Sequence, residues 1–209
     1  MNRILLFFGI LFSFTSLTVN GQKSKIDIGI KGGVNYTNKS IENDLRGLLE
    51  LSGNFGYYIG TFINLSISEK INLRPELLYI LQNSKFDAGI TQGLPEYGDP
   101  PEFLVAGKIK ESLLTIPILL QIKLFKNLYG DVGPSFGYLL KREIEYVEPY
   151  LRIGILENTS DQKFEMGLNV GAEYKLTNSI GCGIRYTYGI TNRQNAKSSN
   201  LLLGMNFIL

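Results

Sequence analysis

The sequence predicts an all-β fold: an eight-stranded antiparallel up-and-down transmembrane β-barrel with a polar, packed interior. Three observations predict it. First, the segment Phe164 to Leu176, FEMGLNVGAEYKL, alternates without a fault: Phe164, Met166, Leu168, Val170, Ala172, Tyr174 and Leu176 are apolar, and the residues between them are charged, polar or glycine. Successive strand side chains point to opposite faces, so this segment has one wholly apolar face and one polar or small face. Second, similar segments recur along the chain, and the connections between them read long, short, long, short, long, short, long. That sorting is the habit of barrels with long extracellular loops and short periplasmic turns. Third, past the amino terminus no apolar run is long enough for a membrane helix; the best, Leu113 to Leu124, is broken by Pro117, Gln121 and Lys123. A chain of this kind embedded in a membrane must satisfy its backbone as a closed barrel.

The chain opens with Arg3, an apolar run from Ile4 to Leu17, and the small residues Val19 and Gly21. This reads as a signal peptide, residues 1–21, cleaved before Gln22. It leaves 209 − 21 = 188 residues, 22–209, as one barrel domain. Export then places the protein in the cell outer membrane of a Gram-negative bacterium. No cysteine follows the apolar run, which removes a lipoprotein reading.

The first strand runs from Ile26 to about Tyr36, with Ile26, Ile28, Ile30, Val34 and Tyr36 on the lipid face. In the polar connection after it, Leu45, Leu48 and Leu49 have helical spacing, with Asn43 or Asp44 as a cap and Gly53 as a stop. The second strand, about Gly56 to Ser66, sets Tyr57, Ile59, Ile63 and Leu65 against Gly56, Tyr58, Gly60, Phe62 and Asn64. After a tight turn at Ser68-Glu69-Lys70, the third strand carries Ile71, Leu73, Leu77, Tyr79 and Leu81 outward and Asn72, Arg74, Glu76 and Gln82 inward. A glycine- and proline-rich connection extends to about Lys110.

The fourth strand, Leu113 to Leu124, faces Leu114, Ile116, Ile118, Leu120, Ile122 and Leu124 outward. The fifth, Leu128 to Leu140, does so with Leu128, Val132, Phe136, Tyr138 and Leu140. A charged connection, Lys141 to Lys163, leads to the sixth strand, the segment described above. Thr177-Asn178 turns into the seventh, where Ile180, Cys182, Ile184, Tyr186, Tyr188 and Ile190 face out, and the last presents Leu201, Leu203, Met205, Phe207 and Leu209. Pro75, Pro117 and Pro134 lie inside strands and each removes a ladder donor, which predicts bulges or locally broken pairing.

The segments GIKGGVN at Gly29 to Asn35, RPELLY at Arg74 to Tyr79, IPILLQ at Ile116 to Gln121, GDVGPSFGYLL at Gly130 to Leu140, GLNVGAEYKL at Gly167 to Leu176 and IRYTYGITN at Ile184 to Asn192 resemble the PorT-like outer-membrane β-barrel proteins, the porin or outer membrane protein beta-barrel domain family. The resemblance spans nearly the whole chain after the leader. It implies a small outer-membrane barrel, with some relatives tied to protein secretion, and it carries over no catalytic residues.

The formal net charge of +2 falls to +1 once Arg3 is lost with the leader, so nothing in the composition suggests an electrostatic nucleic-acid binder, and no nucleic-acid partner is expected. With no histidine, a Ser-His-Asp or Cys-His site and any histidine metal ligand are excluded, and with one cysteine, Cys182, so is an intrachain disulfide. No enzyme activity and no cofactor are expected. The inward charges are Lys31, Arg74, Glu76, Lys123, Asp131, Glu165, Glu173 and Arg185, joined by Asp27 and Lys175. An eight-stranded barrel is only wide enough for its own side chains, so these are expected to pair across the lumen as a structural network. Glu143 with Glu145, or Asp99 with Glu102, could hold calcium, although solvated loops suit them better. Five tyrosines near strand ends, Tyr36, Tyr79, Tyr138, Tyr174 and Tyr188, suit interfacial girdles.

The function expected is a non-enzymatic structural or loop-mediated interaction role at the cell surface. Leu45, Leu48, Leu49, Tyr97 and Phe103 are the loop residues offered to a partner, and outer-membrane lipid is the other partner. The alternative is a soluble periplasmic barrel of lipocalin type, which requires the apolar face to point inward onto an apolar ligand.

Overall fold

A computed structural model describes residues 26–41, 49–91, 102–147, 162–192 and 196–209. Eight strands form one closed antiparallel barrel in which each pairs with its sequence neighbours and the last with the first. They are β1 (Ile26–Ile41), β2 (Leu49–Ser66), β3 (Ile71–Thr91), β4 (Glu102–Lys123), β5 (Leu128–Tyr146), β6 (Phe164–Lys175), β7 (Ile180–Gly189) and β8 (Ala196–Ile208).

Register fixes the shape. Stepping from partner to partner, Ile26 leads through Leu65, Leu73, Leu120, Val132, Val170, Tyr186 and Leu201 back to β1 at Tyr36, ten residues above the start. A stagger of ten over eight strands tilts them by about 40° and sets a backbone radius of about 8 Å.

Apolar alternation faces outward. Leu168, Ile184 and Leu203 are 52%, 48% and 56% exposed, whereas Glu173 and Arg185 on the opposite face are 3% and 6% exposed. An apolar exterior around a charged, buried interior is the arrangement for lipid, and it overturns the lipocalin alternative. Tyr36, Tyr138 and Tyr188 project outward near the long-loop end and Tyr174 near the short-turn end, while Tyr79 donates to Ser112 Oγ at 2.9 Å.

The strands on the long-loop side outrun the apolar pattern. β1 continues to Ile41, β2 begins at Leu49, β3 reaches Thr91, β4 begins at Glu102 and β5 reaches Tyr146, so much of what reads as loop is sheet. Of the helix expected before Gly53, Leu49 to Gly53 are strand instead, paired with Ala88 to Ser84, while its earlier part lies outside the described residues. Beyond the bilayer a ladder needs no greasy face, so alternation stops marking it. β3 and β4 pair up to Thr91 and Glu102, whereas the β6–β7 ladder ends at Gly167 and Gly189. With this rise and tilt, β3 and β4 form a wall standing about 20 Å above the rim of β6 and β7.

The prolines break pairing without bulging the sheet. The β3–β4 ladder has the same register on both sides of a gap between Pro75/Ile118 and Leu78/Thr115, and β4–β5 on both sides of a gap between Pro117/Ser135 and Leu120/Val132. The β2–β3 ladder skips in the same way between Phe62/Glu76 and Leu65/Leu73. Each missing N–H leaves one carbonyl short of its ladder donor: Ile63 opposite Pro75, Glu76 opposite Pro117 and Ile118 opposite Pro134. Register shifts occur instead at Gly53/Tyr57 in β2 and Ser112/Leu113 along β4–β5, higher in the wall.

Residues 1–21, which the sequence reads as a leader, lie outside the described residues, as do Leu45, Leu48, Tyr97 and Asp99. Leu49 and Phe103 belong to strands, paired with Ala88 and Ile90.

Candidate functional site

The barrel interior is the most constrained part of the molecule, and tilt and register stack its side chains in layers. Nearest the short turns, the fully buried Arg74 donates to both carboxylate oxygens of Glu173, the Nη2 bond being 3.1 Å. Its Nε donates to Asn64 Oδ1 at 2.5 Å, and the guanidinium lies 4.7 Å from the Phe62 ring centroid. All three nitrogens of that cation are thus hydrogen-bonded, and a ring covers one of its faces.

One step higher, Glu76 accepts from Arg185 Nη1 at 2.6 Å and Nη2 at 3.0 Å, and from Lys31 Nζ at 2.9 Å. Arg185 also reaches Asp131 Oδ2 at 3.3 Å, and Gln121 donates to Asp131 Oδ1 at 3.1 Å. Six of the ten charges singled out by inward alternation therefore form one balanced set, three cations with three anions. Lys123 stands half-buried at the short-turn mouth and Glu165 half-buried toward the long-loop end, both apart from that set. Lys175 reaches over the Tyr129 ring at 4.5 Å, near the same mouth.

Above the ions the lumen carries an apolar patch among polar side chains. Tyr58, Leu78, Ile80 and Leu202 form a buried cluster. The interior is otherwise mostly polar, and this patch is what the alternation did not mark: strict parity puts Leu78 and Ile80 on the face of Glu76 and Gln82, but in the run Leu77-Leu78-Tyr79-Ile80-Leu81 both faces are apolar and the pattern is silent. A hydroxyl and amide layer accompanies the cluster, with Thr187 donating to Asn169 at 2.7 Å and Thr37 to Asn200 at 2.6 Å.

A second ionic group closes the long-loop end. Lys39 donates to Glu111 at 2.5 Å, and Arg142 Nε lies 3.7 Å from the same carboxylate. Sequence reasoning missed this group because Lys39 and Arg142 fall in stretches that read as connections and Glu111 lies at the edge of one, before the fourth strand as read. The β5 register shift is what turns Arg142 inward: Ser112 pairs with Lys141 and Leu113 with Leu139, so Leu140 is extra and parity inverts above it. Phe86 packs edge-on to Tyr146, centroids 5.6 Å apart, over this layer.

Within the described part of the lumen lie two small cavities, each of about 20 Å³. That is room for a single water, and the lower one is bounded by Lys31, Tyr58, Asp131, Glu173 and Arg185. No metal-holding group of three or more acidic or cysteine residues occurs among the described residues. Glu143 and Glu145 are engaged by Lys141 at 2.5 Å and Lys110 at 2.6 Å.

Fold and lumen together define a class: a small outer-membrane barrel whose bore is filled by its own side chains. More particularly, the model of the outer membrane protein beta-barrel domain family matches residues 20–194, and the chain belongs to that family. Among solved structures it is similar to Neisserial surface protein A (12% identity, 87% of this chain and 97% of that one, TM-score 0.50). It is also similar to Ail, the attachment invasion locus protein of Yersinia pestis (12%, 88% and 98%, 0.48), and to OprG from Pseudomonas aeruginosa (16%, 89% and 97%, 0.47). No curated protein matches its sequence.

Proposed function

We propose that this protein is a non-conducting, non-enzymatic display barrel of the outer membrane, which recognises a protein or surface partner through its raised wall of β3 and β4 and the adjoining loops. The observation that carries the reading is the filled bore: Arg74, Phe62, Leu78 and Leu119 are almost wholly buried, and the two cavities described have room for no more than about one water each. A rigid, closed scaffold leaves its function to what it raises above the membrane. The PorT-like resemblance adds a finer proposal, a link to protein secretion, which rests on that resemblance alone.

Purified protein in planar bilayers is expected to give no stepwise conductance, and discrete steps in the wild type would overturn the closed-bore reading. Cells in which residues 86–107 are replaced by a short turn should keep the barrel in the outer membrane and lose surface attachment. Unchanged attachment would remove the wall from the proposal. Comparing secreted proteins with and without the gene tests the secretion link. The leader is proposed to end at Gly21, so sequencing of the mature protein should begin at Gln22.

A further inference from the structure

On the lipid face of β1 the outward positions read Ile26, Ile28, Ile30, Gly32, Val34 and Tyr36, a greasy row with one residue lacking a side chain. Backbone geometry does not demand that glycine, and packing presses on it far less than on its inward neighbours. At the inward Gly33 and Gly60 a Cβ would lie 2.1 Å from the carbonyl oxygens of Leu203 and Leu77, which no side chain can tolerate. At Gly32 the nearest atom is the Tyr58 carbonyl oxygen at 3.2 Å and the next contacts are at 3.9 Å. What the glycine does is leave a groove of about 500 Å³, walled by Ile30, Ile59, Ile180, Met205 and Phe207.

We propose that this groove seats one acyl chain of a phospholipid from the periplasmic leaflet, a proposal that rests on the outer-membrane reading. Three features favour that occupant. Apart from Thr61, the outward side chains that wall it are aliphatic or aromatic, and they lie inside the apolar band, where a polar ligand could not reside. Ile180 opens β7, Phe207 lies near the end of β8 and Ile30 is four residues into β1, so the groove lies in the half of the barrel beside the short turns. Ten residues line it, too few for a second copy, since a stable protein interface takes about 20–30 residues a side.

The test uses the full protein reconstituted in nanodiscs of phosphatidylethanolamine and phosphatidylglycerol, then moved into mild detergent for native mass spectrometry. Wild type is expected to retain one phospholipid per barrel. Gly32→Leu fills the groove from its floor and Thr61→Leu from the β2 wall, and either should lower retention about tenfold, the scale of a ~1.4 kcal/mol loss. Heat-dependent gel migration reports folding of each variant, and if Gly32→Leu does not fold, Thr61→Leu decides. Wild type carrying no lipid, equal retention in a folded variant, or a protein dimer in place of the adduct would each overturn the proposal. Wild type that shows no heat-dependent migration would instead sink the barrel reading on which it rests.

Discussion

Glu76 is the hinge of the lumen's charge balance, and replacing it by glutamine is the sharpest test of how that lumen is held together. The carboxylate accepts from two cations, Arg185 and Lys31, and all three groups are buried. Glutamine has almost the same shape, so no cavity forms and the change is electrostatic. It leaves Lys31, Arg74 and Arg185 facing Asp131 and Glu173, one cation in excess. Removing one partner of a buried ion pair typically costs about 3–5 kcal/mol, because the survivor stays desolvated and uncompensated. Adding Lys31→Met restores the count to two and two, Arg185 with Asp131 and Arg74 with Glu173. Balanced replacement of buried ions by similar volumes is often close to neutral, so the double variant should recover at least ~2 kcal/mol of the loss. Equilibrium urea unfolding in short-chain phosphatidylcholine vesicles, followed by tyrosine fluorescence and gel migration, measures both. A single variant within ~1 kcal/mol of wild type, or a double variant worse than the single, would refute the claim that charge balance holds the lumen.

Other outcomes follow from the same geometry. Gly33→Val should destabilise by ~3 kcal/mol or fail to insert, since its Cβ meets the Leu203 carbonyl oxygen and Gly204 Cα, whereas Gly32→Ala should change stability by under ~1 kcal/mol; similar values for the two would discount close strand approach as the reason for the inward glycine. Pro134→Ala gives back the donor opposite the Ile118 carbonyl, and hydrogen exchange should find the new amide at residue 134 protected; rapid exchange there would mean that the gap has another cause. On the outer wall the hydrogen bond and charge of Lys141 hold the Glu143 carboxyl below its usual range, and the hydrogen bonds and charges of Glu143 and Glu145 hold Lys141 and Lys110 above theirs. That pairing should be present near neutrality, be lost as pH falls through the depressed Glu143 value or rises through the elevated lysine values, and weaken in high salt; a Glu143 midpoint at or above the ordinary 4.5 by NMR would contradict it.

Two-residue periodicity was enough to determine which side chains meet lipid and which face inward through the bilayer, because burial against acyl chains punishes any slip of parity. Ile26 to Tyr36 and Phe164 to Leu176 could be assigned residue by residue for that reason, and the inward set from Lys31 to Arg185 could be named before any partner was known. Partnership itself is a property of closure. Arg74 and Glu173 are 99 residues apart in the chain and meet only because a stagger of ten brings β3 and β6 to one height across the bore. The upper ionic group needed still more, since one extra residue at Leu140 inverts the face of everything above it and no local pattern marks the shift. The wall of β3 and β4 was hidden for the opposite reason: in water a strand is held by its ladder and not by a greasy face, so only the paired backbone reveals it.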